Sequence, residues 1–292
     1  MLLKTIRTYA SLVKFSHTVF AMPFAVIGYL LGIRQQGGEP DWLLLLLVVL
    51  CMVFARSAAM AFNRWADRRY DGRNPRTQSR EIPAGKLKAR SALIFTILMS
   101  LLFIACTWFI NSLCFMLSPL ALLIVLGYSY TKRFTVWAHY VLGLGLALAP
   151  VGAFLAVTGR FEVLPLLYAG LVFFWVAGFD ILYALQDLSV DKNEGLYSVP
   201  SRFGIRGALW LSALSHLMST GFLLVAGFLG QGGLFFWLGA GLFITMLVMQ
   251  HLKIRGRKFE KINQVFALTN GLAGLSLGLF YIVDFAAYIK IL

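Results

Sequence analysis

Long apolar runs, broken by short polar stretches, repeat along almost the whole chain. Nine have about the 20 residues that a helix rising about 1.5 Å per residue needs to cross the hydrocarbon core of a bilayer. They are 15–33, 42–62, 92–110, 113–130, 136–157, 163–186, 208–229, 234–251 and 264–288. Hydrocarbon offers no water to an open N–H or C=O, so a spanning element must satisfy its own backbone. The pattern therefore predicts an all-α integral membrane protein, with nine transmembrane helices in a bundle. The N-terminal "MLLKTIRTYASLVKFSHTVF" is basic and then apolar. It lacks a short apolar core followed by a small-residue cleavage site, so it reads as part of the mature chain. Residues 1–292 are expected to form one domain.

Composition agrees. Only 13% of residues are charged, against about 25% in soluble domains. A net charge of +14 raises the question of nucleic acid, and its distribution answers it. The N-terminal tail and the loops after the second, fourth, sixth and eighth runs hold 22 of the 26 Lys and Arg. Alternation of this kind is the positive-inside signature of a multi-pass membrane protein. It puts the N-terminus and these loops in the cytoplasm, as in a cell inner membrane, and nucleic acid is not an expected partner. Cys51, Cys106 and Cys114 fall within apolar runs without metal-ligand spacing and read as packing residues. His17, His139, His216 and His251 lie in or near apolar runs and read mostly as packed, His139 being the likeliest exception.

The acidic residues break this monotony. Five of the twelve lie in two clusters, "NRWADRRYD" (63–71) and "DILYALQDLSVD" (180–191). Four runs separate them, so both fall at the cytoplasmic ends of their helices. Residues four apart share a helix face. Asn63, Asp67 and Asp71 would align if the helix runs through them, and so would Asp180, Tyr183, Asp187 and Asp191. A lone cluster of this kind is as readily a solvated helix end. Two on one membrane face point to divalent cations instead. Oxygen-only ligands without His or Cys suit Mg²⁺, which takes one or two carboxylates and fills its shell with water and substrate phosphates. Two opposed carboxylate pairs would hold two such ions with a diphosphate between them. Arg68, Arg69, Arg73, Arg76 and Arg80 follow or interleave with the first cluster, and Lys132, Arg133 and Lys192 lie nearby in the topology. Arg forks match phosphate oxygens, although topology alone accounts for much of this charge. Arg56 sits inside an apolar run, where an ionisable group is costly and marks a functional site by default.

Four segments resemble the UbiA superfamily of membrane prenyltransferases. "NRWADRRYD" fits its NxxxDxxxD motif, and "DILYALQDLSVDKNEG" resembles its YAxxDxxxD motif. "YSYTKRFT" (128–135) resembles YxxxKRxT, and "RTQSREIPAG" (76–85) resembles RTxxRPxPxG. Order, spacing and placement agree from about residue 15 to 290. The resemblance implies a bundle around a central cavity open sideways to lipid. It implies that Asn63, Asp67, Asp71, Asp187 and Asp191 bind two Mg²⁺ carrying the diphosphate of a polyprenyl donor, the four aspartates being the catalytic set. Arg68, Lys132, Arg133 and Lys192 become candidate diphosphate contacts. Arg56 and Tyr128, with Asp180 and Tyr183, become candidates for the pocket of a small aromatic acceptor.

The implied acceptor is 4-hydroxybenzoate or a related precursor in ubiquinone or menaquinone biosynthesis. Glu81 replaces the proline of RTxxRPxPxG, and "GFDILYALQD" departs from the usual DTxYAxxD form of the ubiquinone-type enzymes. Both look closer to the branch associated with menaquinone synthesis by the futalosine route. A different class, a cation-coupled transporter, would place its acidic residues near the bilayer midplane on broken helices. Here four of the five clustered aspartates sit at the cytoplasmic helix ends, and only an enzyme would release diphosphate from a polyprenyl diphosphate.

Overall fold

The structure, a computed structural model, describes residues 2–13, 22–254 and 262–291. It is built of helices, with no strand among the described residues. In order they are α1 (Leu2–Leu12), α2 (Met22–Gln36), α3 (Trp42–Ala66), α4 (Arg68–Arg73), α5 (Ala89–Ile110), α6 (Ser112–Thr131), α7 (Ala138–Thr158), α8 (Val163–Ala184), α9 (Leu188–Asn193), α10 (Val199–Leu229), α11 (Leu234–Ile254) and α12 (Ile262–Ile291).

Eight helices among the described residues are long and apolar enough to cross a membrane, one fewer than the nine expected. The exception is the first run. α2 has 15 residues, about 22 Å of helix and short of a full span. Residues 14–21, His17 included, lie outside the described ones. α10 starts at Val199, well before the expected 208. Ser198 and Ser201 form a reciprocal capping box there, and Pro200 sits in the first turn. Gly204, at φ +69°, kinks the same helix soon after.

α8 forms the centre of the bundle, packed between α7 and α10. Leu171, Trp175, Val176 and Ile181 on it are fully buried. Trp175 meets Phe24 of α2 and Phe243 of α11, with ring centroids 5.2 and 5.6 Å away. α3, α5 and α6 pack against one another, and α7 joins them to the centre. Close approach at the α2–α7 contact requires glycine. A Cβ on Gly28 would lie 2.1 Å from the Pro150 carbonyl oxygen, which belongs to backbone and cannot swing away. Gly28→Ala is therefore expected to cost about 1–3 kcal/mol through forced helix separation. A melting curve of the purified protein in detergent would show it, and an unchanged midpoint would rule this packing out.

Trp108, Phe109, Met116, Trp210 and Phe228 point outward and are more than 60% exposed. A belt of this kind is an aggregation hazard in water and an ordinary lipid contact in a bilayer. Inside the bundle lies an apolar cavity of about 380 Å³ between α3, α5, α6 and α7. Arg56 and Tyr128 line it, as do Cys51, Cys114, Ile110 and Phe161.

Candidate active site

Both acidic motifs sit where a long helix gives way to a short one. α3 ends at Ala66, and Asp67 takes φ −90°, ψ 6° before α4 resumes. The hydrogen-bond ladder nevertheless carries on. Asp67 N–H donates to the Asn63 carbonyl at 2.9 Å, and Asp71 N–H to the Asp67 carbonyl at 2.8 Å. The expected alignment of Asn63, Asp67 and Asp71 thus survives a bend. Asn63 Nδ2 donates to Asp67 Oδ2 at 2.9 Å.

The second motif departs from the simple helix. α8 stops at Ala184, a 3₁₀ turn spans Leu185–Asp187, and α9 follows. Tighter winding in that turn changes the angle per residue, so the four expected positions do not continue one regular helix face. Asp180 turns toward α7, where its Oδ2 lies 2.7 Å from His139 Nδ1. His139 is fully buried, and its Nε2 accepts from the Val199 N–H at 3.3 Å. That leaves Nδ1 to carry the proton and donate to Asp180.

The loop after α4 joins the two motifs. Arg76 forks onto Asp187, with Nε to Oδ1 at 2.9 Å and Nη2 to Oδ2 at 2.5 Å. Its Nη1 also donates to the Tyr183 hydroxyl at 3.0 Å. Asn74 Nδ2 donates to Asp187 Oδ1 at 3.0 Å. Arg80 Nη1 donates to Asp71 Oδ1 at 2.7 Å. Arg73 reaches Glu194 at 2.8 Å and ties α4 to the stretch after α9. From the end of α6, Arg133 Nη2 lies 3.4 Å from Asp67 Oδ1, and Lys132 Nζ lies 4.0 Å from Asp191 Oδ2. Each of the four motif aspartates thus faces a basic side chain.

Charge and burial act against each other here. Burial pushes the Asp67 carboxyl above its ordinary range and the Asp71 charge adds to this, while Lys132 and Arg133 pull it back. For Lys132 burial favours the neutral amine, but Asp191 and the neighbouring aspartates outweigh it and raise its pKa. The same balance raises Arg76, burial being overcome by Asp187. Asp71 Oδ2 and Asp191 Oδ2 are buried without a hydrogen-bond partner.

The remaining expected residues scatter. Arg56 and Tyr128 line the apolar cavity, and Arg56 Nε is buried without a hydrogen-bond partner. Lys192 is exposed and forms no ion pair among the described residues. Arg68 turns its Nη1 to the Trp65 carbonyl at 2.6 Å and stacks on that indole at 4.9 Å, with no carboxylate in contact. Sequence reasoning missed Asn74; it noted Arg76 and Arg80 only among the arginines around the first cluster, as possible phosphate matches, and did not pair them with carboxylates. Buried Arg64, beside Asn63, was also missed.

A profile of the UbiA prenyltransferase family matches residues 21–277. The chain belongs to the UbiA prenyltransferase family. A curated relative from Nitrosomonas eutropha, named 4-hydroxybenzoate octaprenyltransferase, is 32% identical over 236 residues, covering 80% of this chain and 81% of its own. A solved apo structure of a UbiA homolog from Aeropyrum pernix K1 superposes with a TM-score of 0.83 at 28% identity, covering 92% of this chain and 98% of its own. A UbiA homolog from Archaeoglobus fulgidus, solved bound to DMAPP and Mg²⁺, shares the fold with a TM-score of 0.68 at 19% identity, covering 92% and 99%. This UbiA protein is thus an all-α membrane enzyme of prenyl transfer, which removes the transporter alternative.

Proposed function

We propose that this UbiA-family chain, as one domain over residues 1–292, transfers a polyprenyl group from a polyprenyl diphosphate to a small aromatic acceptor. 4-Hydroxybenzoate or a related quinone precursor, including one of the futalosine type, is the acceptor class. The observation that carries this reading is that four motif aspartates face a set of basic side chains just past the ends of α3 and α6, the helices whose Arg56 and Tyr128 line the apolar cavity. The name of the Nitrosomonas relative supports the acceptor class, and the DMAPP and Mg²⁺ of the Archaeoglobus homolog support the donor and the metal.

The residues present fit a divalent cation. Among the described residues no three His, Cys, Asp or Glu already form a metal cage. A Mg²⁺ completed by water and substrate phosphate does not require one. Asp71 Oδ2 and Asp191 Oδ2, buried without a hydrogen bond, are hard oxygens left open to a cation. Asp67, Asp71, Asp187 and Asp191, with Asn63, would hold two Mg²⁺. When bound, the metal would supply positive charge to the leaving diphosphate.

The chain's own residues do the rest. Arg76 and Arg80 lie on the carboxylates and, with Lys132 and Arg133, are placed to turn to diphosphate oxygens as negative charge develops there. Breaking the allylic C–O bond leaves an allylic cation on the prenyl chain. Faces of Tyr128 and Tyr183 stabilise it without attacking it. The acceptor ring attacks the cation, forms the new C–C bond and loses a proton. Arg56, left with an open N–H in the cavity, pairs with an acceptor carboxylate. The positive-inside distribution supports a location of this end of the bundle at the cytoplasmic face of an inner membrane.

Membranes containing the protein, given one polyprenyl diphosphate and a panel of aromatic acids, are expected to yield a prenylated acid and diphosphate by mass spectrometry. Absence of any prenylated product across the panel would overturn the reading. Arg56→Ala is expected to raise the acceptor KM about tenfold or more, the scale of a lost charged hydrogen bond, and to leave the donor KM nearly unchanged. Equal effects on both substrates would reject its role at the acceptor.

A further inference from the structure

A second basic recess, of about 420 Å³, lies beside the active site and is lined by no acidic residue. Arg68, Arg69, Arg73 and Arg133 contribute its charge. Arg73 is paired with Glu194 and Arg133 with Asp67. Arg68 and Arg69 have no acidic partner among the described residues. Arg133 also keeps a buried Nε without a hydrogen-bond partner. The recess therefore carries uncompensated positive charge and open donors.

Its walls narrow the class of ligand. Trp65, Tyr70 and Tyr130 line it, at or just beyond the ends of α3 and α6, where two membrane spans finish. Arg68 stacks on Trp65 at 4.9 Å, and Arg133 on Tyr130 at 4.5 Å. Aromatic rings and arginines at this level belong to the headgroup zone of a bilayer. The arginine forks suit phosphate oxygens, and basic pockets between spans take anionic headgroups.

We infer that this recess is a binding site for the phosphodiester headgroup of an anionic phospholipid, adjoining the metal and diphosphate site and sharing only Arg133 with it. α4 divides the two. Arg80 and Asp71 face the motif cluster, while Arg68 and Arg69 line the recess. Arg68 thus leaves the diphosphate contacts expected from sequence and takes a lipid role.

The test uses the full chain in mixed micelles. Phosphatidylglycerol is expected to raise the melting temperature above that in phosphatidylcholine by on the order of 3 °C, because a ligand of the native state stabilises it. The shift should shrink at high salt. It should vanish in Arg68→Gln/Arg69→Gln and persist in Arg160→Gln, at an exposed arginine outside the recess. A double variant that fails to fold hands the test to Arg69→Gln alone, an exposed side chain with no ion pair among the described residues, which should lose part of the shift. Equal stabilisation by both lipids overturns the proposal, as does a full shift in the arginine variants. The same shift from inorganic phosphate alone would assign the recess to a free anion and overturn the lipid assignment.

Discussion

Asp187→Ala is expected to cut prenyl transfer by about 10²–10³-fold or more, the scale on which loss of one transition-state charge stabiliser is felt. Asp187 receives three hydrogen bonds, from Asn74 and both ends of the Arg76 fork. It thus organises the loop, and in the proposed reaction it would also offer oxygens to a metal. Alanine leaves Arg76 without its main carboxylate. The effect on fold is separated from the effect on chemistry by Asp187→Asn, which keeps an oxygen acceptor and loses the charge. Asn is expected to melt close to the parent and still fail in turnover. Asp67→Ala should be similarly inactive, since Asp67 is tied to Asn63 and Arg133. Product formation near the parent level in any of these variants would remove the motif aspartates from the reaction.

Stripping divalent cations is expected to stop turnover altogether, and Mg²⁺ is expected to restore it. The fold should not notice. Arg76, Arg80, Arg133 and Lys132 already face the four carboxylates, so repulsion among them is met without a metal. A chelator should therefore leave the melting temperature in place while abolishing product. Full activity in chelator would rule out metal assistance. Unfolding in chelator would make the cation structural and contradict the arginine pairing.

The apolar runs were enough to specify an all-α membrane bundle, because hydrocarbon admits no open backbone and a helix closes its own. The four-residue spacing of Asn63, Asp67 and Asp71 was equally legible, since a helical ladder crosses the bend at Asp67. The same rule did not carry from Asp180 and Tyr183 to Asp187 and Asp191. A 3₁₀ turn at Leu185–Asp187 breaks the period, and no Gly or Pro in that stretch announces it. The first run read as a span, yet only α2, with 15 residues, appears among the described ones.

By itself, then, the sequence determined the all-helical membrane class and carried the motifs of the candidate site, because these follow from local periodicity and from the solvent each segment must face. Only the tertiary structure decided who meets whom. Arg76 lies 111 positions from Asp187, and Arg80 nine from Asp71, yet each is a carboxylate's partner. Arg68, beside Asp67 in sequence, faces the other way into a separate recess. A charge on a helix end or loop has no preferred partner until neighbouring helices pack. Packing turns a diffuse basic face into two sites, one built on aspartates and the other on open arginines and aromatic rings.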